Sequence, residues 1–492
     1  MDLLILLLVL PAMGALLILL LPPIASHLIR RVALSASLLT MLYAFWLYLP
    51  FDSADPAIQM LSLHEWNARL GTSFALGIDG FSYPLVVLTT LLVFLAIVVS
   101  TGVTQRLRGY YMLLLLLESA TLGVFVAQDW ALFYVFWEMV LIPLFFLIDR
   151  WGGVHRQTAA LNFVLYTMGG SVFMLLSLLV LFDSNPDHSF LFSSINRSAG
   201  SLSTETQVLI FFGLLLGFGV KVPLFPLHGW LPLAHVEAPA PVSILLSGIL
   251  LKMGGYGLIR AAETLPQAIQ TLQNLLLALG LAGLIYGGLL AWRQADLKKM
   301  IAYSSVSHMG VVIIGIATLS ELGLAGAMFQ MVAHGLVAGA LFMLIGLLYE
   351  RTRTRNINDY GSLIQITPRF ALLIILAFTG GVGLPGTAGF VGELHILIAG
   401  FLHWGWLIAL FSLGVLITGV YSIQAVRQLY TGPVNPAMQS VKDLSFQEMF
   451  AAGLLVGGTI LLGLYPLPLL EIIDASVVQL DGLFIAGPEL KP

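Results

Sequence analysis

A chain of 492 residues that is 59% hydrophobic, 9% charged and free of cysteine, with a mean hydropathy of +0.98, is not a soluble domain, since those carry about 25% charge. The lack of thiols excludes disulfides, c-type haem attachment and thiolate-held iron–sulfur clusters, so any redox chemistry has to reside on a partner. With a formal net charge of -4, the expected surroundings are a lipid bilayer and other membrane chains, with no nucleic acid.

In chain order, about fourteen apolar stretches are long enough to cross hydrocarbon as helices, which takes about 20 residues. They lie at 2–22, 28–50, 81–101, 110–127, 130–149, 158–182, 206–226, 239–262, 268–291, 296–318, 321–349, 369–393, 396–430 and 446–466. The expected fold is an all-α polytopic membrane protein, because the short alternating segments of a membrane barrel are absent. The first stretch lacks a basic leading region and a small-residue cleavage site, and reads as a retained helix. The Asn196-Arg197-Ser198 sequon carries little weight.

Charged side chains at bilayer depth cost roughly 2.5–3.5 kcal/mol each and therefore mark function. The fourth stretch holds Glu118, for which a hydrogen-bonding structural role is an equal alternative. The fifth holds Glu138, the seventh Lys221, the eighth Lys252 and the twelfth Glu393. A lysine at that depth must pair, be hydrated or give up its proton, which suits a proton carrier better than structural glue. His308 and His334, in the tenth and eleventh stretches, add groups that titrate near neutrality. The six residues Glu138, Lys221, Lys252, His308, His334 and Glu393 form the candidate proton relay.

Two stretches carry helix breakers: Gly219 to Pro226 around Lys221, and Gly380 to Gly389 around Pro385. Proline removes a backbone donor and glycine adds freedom, so both are expected to be broken helices. Interrupted helices in two halves of a transporter point to inverted repeats with an ion path at their interface. Gly381 to Gly386 also matches G-x-G-x-x-G, but no strand precedes it, and the dinucleotide fingerprint needs its βαβ context. His228 and His235, with only Glu237 nearby, fit loop or proton-entry roles better than a metal site; no metal or cofactor is assigned to this chain. The pairs Gly213/Gly217 and Gly283/Gly287 read as helix-packing contacts.

Loops that join odd to even stretches hold fifteen of the Lys and Arg residues, while the opposite face holds Arg69, Arg197, Arg260 and Lys491. The positive-inside rule puts the fifteen in the cytoplasm and both termini outside it. A cysteine at Ser362 should then report the cytoplasmic side and one at Ser201 the other.

The runs WEMVLIPLFFLI around Glu138, KVPLFPLHGWLPLAHVEAPAPVSILLSGILLKMGGYG around Lys221 and Lys252, DLKKMIAYSSVSHMG before and around His308, and LPGTAGFVGELHIL around Glu393 resemble the NuoM/NdhD family of complex I membrane subunits. The resemblance runs from about Leu76 to Tyr430 and is most specific in the long central run. It implies that Glu138 and Lys221 form the coupled pair of a first half-channel, Lys252 the connecting lysine, His308 and His334 the intervening histidines, and Glu393 the terminal acid of a second. The halves would be 110–262 and 263–430, with N-terminal helices and an external loop at 1–109 and a C-terminal helix and tail at 431–492. It further implies a proton-translocating subunit of an NAD(P)H- or ferredoxin-quinone oxidoreductase, with quinone and iron–sulfur clusters on partner subunits and antiporter-like chains as neighbours. The membrane would be a bacterial inner membrane or a cyanobacterial thylakoid, and the LIDRWGG stretch leans to the cyanobacterial NdhD group. The alternatives are a subunit of a multisubunit cation/proton antiporter and a non-pumping structural subunit.

Overall fold

In hydrocarbon no water can satisfy a bare peptide group, so a spanning chain satisfies its backbone within helices. The computed structural model, which describes residues 2–485, follows that rule. Its helices in chain order are α1 Leu3–Leu20, α2 Ser26–Trp46, α3 Tyr83–Val99, α4 Leu107–Val126, α5 Trp130–Met139, α6 Leu141–Trp151, α7 Arg156–Ser184, α8 Phe192–Ala199, α9 Thr204–Lys221 and α10 Trp230–Glu237. They continue with α11 Ala240–Leu245, α12 Leu251–Thr264, α13 Pro266–Trp292, α14 Leu297–Ala317, α15 Glu321–Thr352, α16 Pro368–Val382, α17 Ala388–Trp404, α18 Ala409–Tyr430, α19 Phe446–Leu464 and α20 Leu467–Ile485. Between α2 and α3, strands β1 (Gln59–Asn67) and β2 (Thr72–Ile78) pair antiparallel as a hairpin, the one departure from an all-α chain among the described residues.

Thirteen segments are long and apolar enough to cross a membrane, with Ala388–Tyr430 counted as one. The shorter apolar α16 joins α17 as a further, broken crossing and leaves α18 as its own, which restores the expected fourteen. The expected boundary between 369–393 and 396–430 is therefore wrong. Helix α17 runs through it, and the chain turns instead at Gly405, whose φ of 59° only glycine adopts without strain. The tail read after residue 466 also begins as a helix, α20, which packs on α15 and α13. Its Ser476 hydroxyl accepts from the Gly80 N–H at 3.0 Å, and its Phe484 carbonyl accepts from Gln270 at 3.0 Å.

Burial sorts the spans into two classes. The most apolar windows of α11–α12, α14 and α15 are 100%, 94% and 100% buried, whereas that of α1 is 39% and that of α19 is 33%. Three central helices are thus screened from lipid on all sides, and they carry Lys252, His308 and His334. Close approach between helices uses small residues: Gly283 and Gly287 of α13 face the backbone of the central α14, and farther out Gly213 and Gly217 of α9 face α7.

Arg260, placed among the loop residues by sequence, is instead 2% exposed in α12. Its guanidinium donates to Asp79 at 2.6 Å, Glu263 at 3.0 Å and the Tyr256 hydroxyl at 3.0 Å. Lys298 is likewise buried, donating to the Ala238 carbonyl at 2.8 Å. Breaking such a pair from one side costs about 3–5 kcal/mol because a buried charge is left alone. Arg260 therefore locks the end of α12 to the start of α3.

Candidate functional site

Glu138 owes its position to a proline. Pro143 cannot donate to Met139 and its ring crowds that carbonyl, so the fifth crossing splits at Val140 and Glu138 sits in the last turn of α5. The carboxylate lies on a half-buried face with Oε1 enclosed and without a hydrogen-bond partner.

Lys221 is the last residue of α9, before the irregular segment 222–229 and α10. A helix C-terminus carries partial negative charge that favours a cation. Its ammonium donates to the Trp137 carbonyl at 3.0 Å and lies 3.6 Å from the centre of the Trp137 ring. That face of indole is a favourable seat for a desolvated cation. Glu138 and Lys221 are neighbours without a salt bridge among the described residues: the ammonium is held by the carbonyl of Trp137, the residue next to Glu138.

Lys252 has a different setting. One turn before it, Leu246–Leu250 widens into a π-helical turn, a distortion that recurs at functional sites because it misaligns carbonyls. The Ser247 carbonyl accepts from the Lys252 ammonium at 2.8 Å, and His334 Nδ1 lies 2.7 Å from the same nitrogen. His334 Nε2 then meets the Ser305 hydroxyl at 3.2 Å, which is 2.8 Å from the Ser247 hydroxyl. The rings of His334 and His308 are 5.5 Å apart, and His308 Nδ1 is 3.6 Å from Glu393 Oε1.

Glu393 stands in the second turn of α17, just past the break at Gly383–Thr387. Gly383 has a φ of 71°, and a Cβ there would fall 2.5 Å from Glu393 Oε2. The second broken helix thus needs glycine twice over, for its turn and for room beside the acid. Beyond Glu393, the Tyr421 hydroxyl donates to Ser304 at 2.9 Å beside a small cavity reaching Gly381.

The structure therefore brings Lys252, His334, His308 and Glu393 into one row and leaves Glu138 and Lys221 as a separate group. The serines Ser247 and Ser305 escaped the sequence reading, because neither hydroxyls nor the π turn have a signature in an apolar run. Glu118 is fully buried with both carboxylate oxygens unpartnered. His235 stacks on Phe342 at 4.4 Å with both ring nitrogens free of hydrogen bonds, and His228 lies among Phe225 and Tyr286. No group of three metal-ligating side chains occurs among the described residues.

Residues 127–418 match the family described as NADH:quinone oxidoreductase/Mrp antiporter, TM. The chain is 39% identical over 470 residues to NAD(P)H-quinone oxidoreductase chain 4 1 of Picosynechococcus sp., covering 93% of this chain and 87% of that one. It is 37% identical to NADH-quinone oxidoreductase subunit M of Rickettsia felis, with 92% of each chain covered. A chain of respiratory complex I from Thermus thermophilus with bound NADH superposes with a TM-score of 0.87 at 32% identity, over 97% of this chain and 100% of that one. A chain of the Mrp complex from Dietzia sp. shares the fold, with a TM-score of 0.84 at 22% identity over 99% of this chain and 56% of that one.

Proposed function

The chain belongs to the NADH:quinone oxidoreductase/Mrp antiporter family of membrane subunits, and from that premise we propose that its buried row of ionisable groups carries protons. It is an antiporter-like, multi-pass membrane subunit of a complex I type quinone oxidoreductase, an enzyme that couples quinone reduction to proton translocation. The residues assigned to the relay are Glu138, Lys221, Lys252, His334, His308 and Glu393, in two halves at 110–262 and 263–430. The quinone and the iron–sulfur clusters belong to partner subunits, and neighbouring antiporter-like chains complete the membrane arm.

The observation that supports the relay is the row in α12, α14, α15 and α17. Lys252 and His334 are 2.7 Å apart, and His308 and Glu393 are 3.6 Å apart. A proton shared along such a row moves without creating an isolated charge in low dielectric. Transfer against 100 mV costs about 2.3 kcal/mol per charge, so redox events elsewhere drive it by changing which charge faces each lysine. The Lys221 group lies across the α9–α12 contact, and bridging it requires water or side-chain motion.

Replacing His334 by Gln keeps a hydrogen-bonding partner for Lys252 but removes the group that takes up its proton. In sealed vesicles, proton uptake normalised to quinone reduction should more than halve while the complex still assembles. An unchanged ratio would remove His334 from the path.

The basic face is assigned to the cytoplasm and both termini to the opposite side. Ser362 is 3% exposed and would not react as a cysteine, so the exposed Asn358 of the same connection replaces it. In the cysteine-free chain, Asn358→Cys should be labelled by an impermeant thiol reagent only from the cytoplasm and the exposed Ser201→Cys only from the other side. Reversed labelling would overturn the orientation.

A further inference from the structure

On the basic face, away from the relay, the ends of α4, α6 and α7 enclose a cavity of about 190 Å³ lined by Gln105, Arg106, Asp149, Arg150, Trp151 and Arg156. Three guanidiniums face one carboxylate there. Asp149 is committed to Arg150 at 3.1 Å, and neither Arg106 nor Arg156 is ion-paired among the described residues. Arg156 opens the 29-residue α7, just after the His155 N–H, which donates to the Glu237 carboxylate at 2.9 Å, so the positive potential at this spot comes from the guanidiniums and not from a free helix start. Arg106 itself has a φ of 52°, a conformation that costs a non-glycine residue free energy and survives only where the surroundings over-determine it. The Trp151 indole donates to the Gln105 carbonyl at 2.9 Å and forms one wall, where an amphipathic ring suits the boundary between headgroups and hydrocarbon.

Two exposed apolar ridges leave this cavity toward the middle of the membrane. One follows Met139, Ile142 and Phe146; the other follows Leu161, Leu165, Met168 and Val172 of α7. The α7 ridge runs from 161 to 172, eleven steps or about 16 Å at a rise of 1.5 Å per residue, the reach of an acyl chain. A soluble anion would use the guanidiniums and leave the ridges idle. A basic pocket between transmembrane helices continued by apolar grooves is the geometry that recognises an anionic lipid headgroup.

We infer that Arg106, Arg150 and Arg156 form a site for the phosphate of an anionic phospholipid whose acyl chains lie along α6 and α7. The test uses the whole complex in phosphatidylcholine vesicles with a trace of phosphatidylglycerol carrying a diazirine in its acyl chain, followed by mapping of the crosslinked peptides. Labelling is expected within 139–172, with competition by unlabelled phosphatidylglycerol and none by added phosphatidylcholine. The R106Q/R150Q/R156Q variant should reduce it by at least about fivefold, and R106K/R150K/R156K should retain most of it. Competition by inorganic phosphate equal to that by phosphatidylglycerol would assign the cavity to a soluble anion and overturn the lipid. Label that lands on a neighbouring subunit in place of this segment would show that a protein surface covers the site. Where the glutamine variant fails to assemble, the competition in the unaltered complex decides alone.

Discussion

Lys221→Arg is expected to assemble normally and pump poorly. The guanidinium keeps the positive charge that the end of α9, the Trp137 carbonyl and the Trp137 ring receive, but in proteins it does not release its proton. If Lys221 served charge balance alone, Arg would restore assembly and pumping together. If it carries protons, Arg restores assembly and leaves the proton-to-electron ratio at a small fraction of normal. Lys221→Ala loses both, because the Trp137 carbonyl and the half-buried Glu138 lose the cation beside them. Lys252→Arg should behave like Lys221→Arg, with an added steric cost: the site between the Ser247 carbonyl and His334 is built for one ammonium. Proton uptake in sealed vesicles, normalised to quinone reduction, is the measurement, and full coupling in Lys221→Arg would sink the lysine relay.

Glu393→Gln is expected to lower pumping by about a hundredfold, the low end of what a positioned acid–base group contributes. The amide has the size of the acid and still reaches His308, at 3.6 Å in the native chain, so the break at Gly383 and the packing of α17 should survive. Glu393→Asp should retain part of the activity, since the shorter acid titrates but stands farther from His308. Gly383→Ala makes the complementary case: a Cβ there meets both a positive φ and the Glu393 carboxylate, so the second broken helix should shift and activity fall without any change of charge. Normal pumping in Glu393→Gln would place the exit elsewhere, with the buried and unpartnered Glu118 the next acid to test.

The chain of the Mrp complex from Dietzia sp. shares this fold at 22% identity, where only the fold is informative. The relatives at 37–39% identity named above are quinone oxidoreductase subunits. Co-purification with a quinone-reducing complex separates the two directly.

What the sequence determined by itself was everything that depends on cost in hydrocarbon. Long apolar runs must be helices, charges inside them must have a purpose, and clustered Pro and Gly must interrupt them; the breaks at Lys221 and Pro385 and the six titratable positions were all visible for that reason. Boundaries are less visible, because apolarity does not change where a helix turns: the apolar stretch 396–430 continues through the α17–α18 turn, and α20 follows the last long apolar stretch without a mark of its own. Contacts between helices were invisible. That the Lys221 ammonium donates to the Trp137 carbonyl, that the Ser247 carbonyl in a π turn accepts from Lys252, and that Arg260 is buried against Asp79 across a separation of 181 residues all depend on local geometry and on which faces meet. Hydrophobic periodicity cannot choose those faces in α12, α14 and α15, which are buried all round. Only the packing of the bundle decides them, and with them the order of the row from Lys252 to Glu393.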